Sequence, residues 1–257
     1  MERITESRQV GLARALSKLG YCSRSQAAKL IRAGRVRLNG AAHRDPETPV
    51  HLERDRIEVD RDAVTAESRI YLMLNKPRGI VTTASDEKGR RTVYSLLGEK
   101  MPWLGPVGRL DKASEGLLLL TNDSEWAARI CDPGSHLDKT YHVQAGVIAR
   151  DSLIDELLNG LRIGGELLRA KRARVLRSGE KNTWLEIGLD EGKNRHIRRI
   201  FEHLGIEVLR LIRVAIGPLA LGQLEKGKSR PLTAAEKSAL DQAIKISRGQ
   251  TRILEKG

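Results

Sequence analysis

Pro106-Val107-Gly108-Arg109-Leu110-Asp111, followed closely by Gly116-Leu117-Leu118-Leu119-Leu120-Thr121-Asn122-Asp123, is the stretch whose reading decides the rest. The four-leucine run has no polar face, so it is predicted to be buried. The glycine-flanked loop before it offers an arginine and a carboxylate two positions apart, anchored on rigid core. By position alone Asp111 reads equally well as a turn or helix-cap carboxylate.

Composition narrows the possible partners. The chain has 257 residues, enough for one sizeable core and a small appended module. Its formal charge is +13 and its pI about 10.0, a balance that points to a polyanion, with nucleic acid the first candidate. An anionic membrane would also suit a basic surface, but no apolar run reaches the roughly 18 residues of a spanning helix and no signal peptide opens the chain. The expectation is a cytoplasmic, membrane-independent monomer. Cys22 and Cys131 stand far apart, with no Cys-x-x-Cys and no His-rich cluster, so both read as unpaired thiols and no metal site is expected. Dinucleotide and phosphate-loop fingerprints are absent, so no cofactor is implied. Aromatic residues make up only 3%, which argues against broad single-strand binding by rows of stacking rings.

Near the start, Leu12, Leu16 and Leu19 recur at helical spacing, and Gly20 ends that helix. Ser23 with Gln26 makes a capping-box start for a second helix, whose apolar face is Ala27, Ala28, Leu30 and Ile31. Alternation at Arg35-Val36-Arg37-Leu38, the Asn39-Gly40 turn signal and Arg56-Ile57-Glu58-Val59 predict strands. Through residue 44, ten basic side chains, beginning with Arg3 and Arg8, stand against Glu2 and Glu6. Residues 61–69 lose periodicity and read as a linker. Ile70-Tyr71-Leu72-Met73-Leu74 is an apolar strand stopped by Asn75-Lys76-Pro77-Arg78-Gly79, and Ser124 to Ile130 is predicted as a helix with Trp126 and Ile130 inward. Lys139-Thr140-Tyr141-His142-Val143 alternates as a strand, Leu153 to Leu161 reads as helix, and strands follow near Ala173–Leu176 and Trp184–Ile187. In Arg195-His196-Ile197-Arg198-Arg199-Ile200, a helix would align Ile197, Ile200, Phe201 and Leu204 as its apolar stripe. Arg195, Arg199 and Glu202 would then point away and Arg198 would fall at the border. His142 and His196 are expected to face solvent or RNA without a catalytic role. From about Thr233 the chain reads as a basic amphipathic helix and a tail.

The pattern from Gly20 through Ser23-Arg24, Ala27, Leu30-Ile31, Gly34 and Val36 to Asn39-Gly40 is similar to the S4 RNA-binding domain. That resemblance makes Arg14, Lys18, Arg24, Lys29, Arg32 and Arg35 candidate phosphate contacts. Gly108-Arg109-Leu110-Asp111 with Gly116 through Asp123 closely resembles the catalytic signature of the RsuA/RluB family of ribosomal RNA pseudouridine synthases. Ser114 and Ser124 replace that family's usual threonine and glycine. The segments from Asn75-Lys76-Pro77 to Thr92-Val93, Lys139-x-Tyr141, Gly192-Lys193-Asn194-Arg195-x-Ile197-Arg198-Arg199 and Leu211 to Leu219 resemble the family's other motifs in the family's order.

The resemblance implies an α/β (α+β) pseudouridine-synthase fold with a mixed, largely antiparallel central sheet and a small N-terminal S4-like domain. The boundaries expected are 1–60 for the S4 domain, 61–69 for the linker, 70–232 for the catalytic domain and 233–257 for the C-terminal helix and tail. It implies that Asp111 is the catalytic carboxylate, held ionised by Arg198, that Tyr141 stacks on the target base, and that Arg109 fills the place the base leaves. Arg195 and Arg199 are expected at solvent or phosphate. The partner implied is ribosomal RNA or a ribosome assembly intermediate. Arginine at 198 favours the large-subunit enzymes over small-subunit ones, which often carry lysine there. A binding-only assembly factor is the alternative of a different class, against which the intact set Asp111, Tyr141 and Arg198 speaks.

Overall fold

The computed structural model describes residues 9–83, 88–98 and 101–254, with side chains in the last helix described through residue 245. Of the basic run, Arg3 and Arg8 with their acidic neighbours Glu2 and Glu6 lie outside the described residues, as do 84–87 and the tail 255–257. The chain divides into two compact units: residues 1–71 with 98–105 and 120–125, and residues 72–97 with 106–119 and 126–257.

The first unit contains β1 (Val10–Gly11), α1 (Leu12–Lys18), α2 (Arg24–Arg32), β2 (Val36–Leu38), β3 (Ala41–His43), β4 (Pro49–Val50), β5 (Ile57–Val59) and β6 (Asp62–Ala63). The predicted capping box is formed: Ser23 Oγ accepts from Gln26 N at 3.1 Å while Gln26 Oε1 accepts from Ser23 N at 3.1 Å. Asn39 and Gly40 both have positive φ, the backbone a tight β2–β3 hairpin requires. Leu12, Leu16, Ala27 and Ile31 from the helices pack with Val36, Ile57 and Val59 from the sheet, whose order is β3-β2-β5-β6.

Residues 61–69 are not the free linker expected. Asp62–Ala63 add an edge strand to β5, and Glu67 N donates to Leu19 O. Asn122 then closes on the segment from both ends of its amide, accepting from Ile70 N and donating to Ser68 O, each at 2.8 Å. Asp123 pairs with Arg69 and accepts from Tyr71 Oη. The polar end of the leucine motif therefore fastens chain to chain within this unit.

The larger sheet of the chain lies mostly in the second unit, with the strand ends at Tyr71, Gly105 and Leu120–Thr121 and the helix start at Ser124–Glu125 assigned to the first. Its strands are β7 (Tyr71–Lys76), β8 (Gly105–Val107), β9 (Glu115–Thr121), β10 (Lys139–Ala145), β13 (Arg172–Ser178), β14 (Thr183–Leu189), β15 (Val208–Ile216), β16 (Leu219–Ala220) and β17 (Ser229–Pro231). A separate hairpin pairs β11 (Leu161–Ile163) with β12 (Glu166–Leu168), and the helices are α3 (Ser124–Cys131), α4 (Asp151–Asn159), α5 (His196–His203) and α6 (Ala234–Leu254). The order is β13-β14-β10-β15-β9-β7-β17, with β16 on β15 and β8 on β9. The pairings along β13, β14, β10 and β15 are antiparallel and that of β15 with β9 is parallel, which agrees with a mixed, largely antiparallel sheet. At the edge strand β13 the alternation buries little, for Val175 and Leu176 are both exposed.

All four leucines of β9 are fully buried. Its first residue, Glu115, is buried too, neutralised by a bidentate bond from Arg210 and an ion pair with Lys226. Gly116 has φ +102, and a Cβ there would collide with Arg213 O of the neighbouring strand. The α5 stripe forms as expected, with Ile197, Ile200 and Phe201 in the core. The C-terminal helix α6 belongs to the same body: Leu240 and Ile244 are buried and Asp241 accepts from Trp126 Nε1 at 2.9 Å. Its start is a capping box absent from the sequence reading, in which Thr233 and Glu236 exchange backbone bonds. Arg230 grips Glu236 with both guanidinium nitrogens and holds its carboxyl down to about 2.

Between β8 and β9 the chain has no regular structure, yet its carbonyls are occupied. Thr82 Oγ1 donates to Leu110 O, and Gly79 N donates to Lys112 O. Lys76, 0% exposed, donates from one ammonium to Pro77 O, Asp111 O and Ser114 O at 3.2, 3.1 and 2.8 Å. Burial pushes this amine down to about 8, against the opposing pull of the Asp111 charge.

Gly116→Ala is expected to destabilise by about 3 kcal/mol or more, through a positive φ and the clash with β15, read by urea unfolding. Lys76→Met keeps the stem and removes three donors; a loss of about 1 to 3 kcal/mol at pH 7 is expected. Because the native state holds this proton less tightly than the unfolded chain, the cost of charging Lys76 is fully present below about pH 8 and is relieved as pH rises toward 10.5. The Lys76→Met protein should therefore lack that rise, and an unchanged slope over this window would refute the assignment.

Candidate active site

The carbonyl left over in that loop is Ala113 O, and Arg198 of α5 takes it, donating from Nη2 at 3.0 Å. Five successive carbonyls, from Leu110 to Ser114, thus meet protein donors. Three of these groups lie in residues 76–82 and the fourth on α5, so the loop is fixed from two sides by chain remote in sequence.

Asp111 and Arg109 project from this loop into a cleft of about 680 Å³ lined entirely by the second unit. That volume lies in the range of small-molecule pockets, about 300 to 1,000 Å³. Tyr141 of β10 lines the opposite strand wall with Leu211 and Ile216 of β15, while Arg195, His196 and Ile197 enter from the start of α5. The sequence-predicted Asp111, Arg109, Tyr141 and Arg195 are therefore brought together. Arg195 is exposed and has φ +48 at the helix N-cap, and the nearest carboxylate, that of Glu202, is 3.9 Å away.

The expected ion pair between Arg198 and Asp111 is not formed. Arg198 binds the loop's backbone at Ala113, its Nε is buried without a partner, and it is not among the cleft-lining side chains. Burial lowers its pKa from the ordinary guanidinium value, and the Asp111 charge opposes that shift, so the two act on each other without touching. Arg199 is also otherwise engaged, with Glu166 at 2.7 Å and Ile163 O at 3.2 Å. Its guanidinium ties α5 to the β11–β12 hairpin.

His196 departs from the expectation of a solvent-facing ring. It is 5% exposed and lines the cleft, and the backbone of Arg169 approaches its ring in poor hydrogen-bonding geometry. Burial, then the Lys193 charge, pushes it below its usual range, so the ring is neutral at pH 7. His142, by contrast, is half-exposed and sits 3.6 Å from Glu186.

Three cations escaped the sequence reading: Lys76 behind the loop, and Lys139 and Arg213 in the cleft wall. Lys76 was legible only as the polar end of an apolar run; Arg213 carried a signal, a lone charge in the middle of Leu211 to Leu219. A carboxylate on a fixed loop, an aromatic ring and two cations, Lys139 and Arg213, thus line one cavity. Among the described residues no group of three His, Cys, Asp or Glu side chains is placed to bind a metal, and no helix is long and apolar enough to cross a membrane.

In the first unit, Arg14, Arg24, Lys29 and Arg32 are exposed with no carboxylate partner among the described residues. Lys18 pairs with Glu125 and Arg35 with Asp60.

Comparison with known proteins accords with both units. The RNA pseudouridylate synthase family profile matches residues 70–203, and the S4 domain profile matches residues 10–57. The chain is 36% identical to an RNA pseudouridine synthase of Aquifex aeolicus, over 92% of this chain and 95% of that one. It is 35% identical to ribosomal large subunit pseudouridine synthase B of Bacillus subtilis, over 88% of this chain and 93% of that one. A crystal structure of a pseudouridylate synthase superposes with a TM-score of 0.63 at 32% identity, covering 90% of this chain and 99% of that one. With a profile spanning half its length, full-length relatives and a matching fold, the chain belongs to the RNA pseudouridine synthase family and carries an S4 domain at its N-terminal side.

Proposed function

We propose that the protein converts a uridine of ribosomal RNA, in the large subunit, to pseudouridine, using Asp111 as the reacting carboxylate. The observation that carries this reading is the position of Asp111: its backbone is fixed on both sides while its side chain opens on a cleft shared with Tyr141. The resemblance to the Bacillus subtilis large-subunit enzyme supports the choice of RNA.

The reaction exchanges a C–N glycosidic bond for a C–C bond on the same ring, so reactant and product are isomers and no oxidant or energy source is consumed. A carboxylate near the nucleoside serves as nucleophile or moves a proton. The base is unreachable while stacked, so the nucleotide swings out at a cost of about a few kcal/mol. Arg109, exposed at the cleft rim, occupies the vacated stack. Tyr141 covers the everted ring, worth on the order of 1 to 3 kcal/mol. Arg198 acts as a positioning residue through Ala113 O, and Arg195 meets a phosphate beside the cleft. The unpaired Arg14, Arg24, Lys29 and Arg32 of the S4 domain bind the backbone of ribosomal RNA or of an assembly intermediate.

Asp111→Asn is expected to lower single-turnover pseudouridine formation by about 10²-fold or more while RNA binding is retained. Mapping pseudouridine across both ribosomal RNAs in cells with and without the protein tests the target, and a lost site in the small subunit would overturn the choice made here. A protein that binds ribosomal RNA yet forms no pseudouridine would be an assembly factor. Replacing Arg14, Arg24, Lys29 and Arg32 together by alanine should weaken RNA binding and flatten its salt dependence; an unchanged slope would remove the S4 surface from the interface.

A further inference from the structure

Lys139, Tyr141 and Arg213 form one patch of the cleft wall. In the antiparallel pair β10–β15, Tyr141 stands directly opposite Arg213, so their side chains share a face about 5 Å apart at Cβ. Lys139 precedes Tyr141 by two on the same strand and so lies on that face as well, about 7 Å along it. All three line the cleft. A ring stacked on Tyr141 would meet two cations at its edges.

Neither cation has a carboxylate within ion-pair distance among the described residues. Arg213 is 6% exposed; its Nε donates to Leu117 O at 2.8 Å, which fixes the guanidinium plane, and its Nη2 is buried with no partner. A buried charged donor left unmet is costly, and a ligand that supplies the acceptor removes that cost. For Lys139, burial and then the Arg213 charge push the amine down, against the opposing charges of Asp138 and Asp190. The two carboxylates of the cleft wall are elsewhere engaged or placed: Glu191 pairs with Lys193 at 2.6 Å, and Asp111 sits on the loop held by Lys76 and Arg198.

We propose that Lys139 and Arg213 receive the carbonyl edge of the everted uracil and stabilise the negative charge that the base acquires during reaction. The proposal rests on the pseudouridine-forming reading above. Whichever bond Asp111 attacks, charge reaches O4. Addition of the carboxylate to C6 places the electron pair of the C5–C6 double bond on O4 as an enolate. Breaking N1–C1′, by attack at the sugar or by removal of a sugar proton, leaves the bonding pair on the base, shared by N1, O2 and O4. C5 then bonds to C1′, C5 gives up its proton and N1 gains one, so atoms and charge balance. Donors fixed in a water-poor pocket act on such charge without reorganising. A phosphodiester fits the patch less well, since it continues as chain on both sides and would have to follow Arg213 out of solvent, whereas a planar base presents one edge.

The test compares rate with affinity on one RNA that carries the target uridine. Lys139→Met is expected to lower the single-turnover rate by about 10²-fold, to shift Kd less than twofold, and to be largely restored in Lys139→Arg. Arg213→Gln, checked for folding by circular dichroism because Arg213 also holds Leu117 O, should behave like Lys139→Met; if it does not fold, the Lys139 pair decides alone. A Kd that weakens in step with the rate, with the salt slope reduced by about 1, would identify a phosphate contact and overturn the proposal. Unchanged rate and Kd would overturn it as well. If the unaltered protein forms no pseudouridine, the functional reading fails and this proposal with it, whereas product formed equally by Lys139→Met defeats the cation assignment alone.

Discussion

An irregular loop ordinarily leaves its carbonyls to water. Here the five from Leu110 to Ser114 are held by a hydroxyl, a backbone amide, an ammonium and a guanidinium. Because successive peptide planes are each tethered, the backbone at Asp111 has little freedom, and the direction of its side chain is set before any substrate arrives. Rate enhancement from orientation depends on such fixing, since an error of about 1 Å can cost 10²-fold. The two cationic donors also place positive charge beside the carboxylate without bonding to it, so its oxygens stay available. A direct ion pair with Arg198 would occupy those oxygens.

This arrangement is maintained against a stability cost. Lys76, Arg213, His196 and Glu115 are all buried, in a unit whose sheet is otherwise packed with leucine, isoleucine and valine. Each is destabilising unless matched. Glu115 is fully matched by Arg210 and Lys226, Lys76 by three carbonyls, whereas Arg213 and His196 keep unmet nitrogens. Of these four, the two with unmet nitrogens line the cleft and the two matched ones do not. The surrounding rigidity makes this tolerable. Four buried leucines fill β9, and Gly116 lets β15 approach it closely enough to position Arg213.

Much of this was legible in the chain because it is local. The Ser23–Gln26 capping box, the Asn39-Gly40 turn, the buried leucines and the stripe of Ile197, Ile200 and Phe201 each depend on residues within a turn or two of one another. Asp111, Tyr141 and Arg109, singled out through their motifs, line one cleft. What escaped depends on partners far away in sequence. Lys76 looked like the end of a strand because its acceptors lie 35 and 38 residues on, at Asp111 and Ser114. His196 sits at a helix start among charges, a pattern that reads as solvent-facing until the cleft closes around it. Residues 61–69 lack periodicity, yet Asp62–Ala63 pair with β5, and Ser68 and Arg69 are held by Asn122 and Asp123, which no local rule connects to them.

Charge on this protein thus works in two dielectric regimes. Two unit charges 4 Å apart interact by about 1 kcal/mol in water and about 4 kcal/mol at the effective dielectric near protein. On the S4 unit, where Arg14, Arg24, Lys29 and Arg32 face solvent, each cation contributes little and salt screens it, so grip on RNA requires several acting together and exerts no choice of base. Inside the cleft one cation acts at several times that strength and is shielded from added salt. A single substitution there can change chemistry without changing attachment. The same excess of lysine and arginine that makes the chain basic therefore divides into a dispersed, solvent-facing set on the S4 unit and a small set in the wall of the cleft.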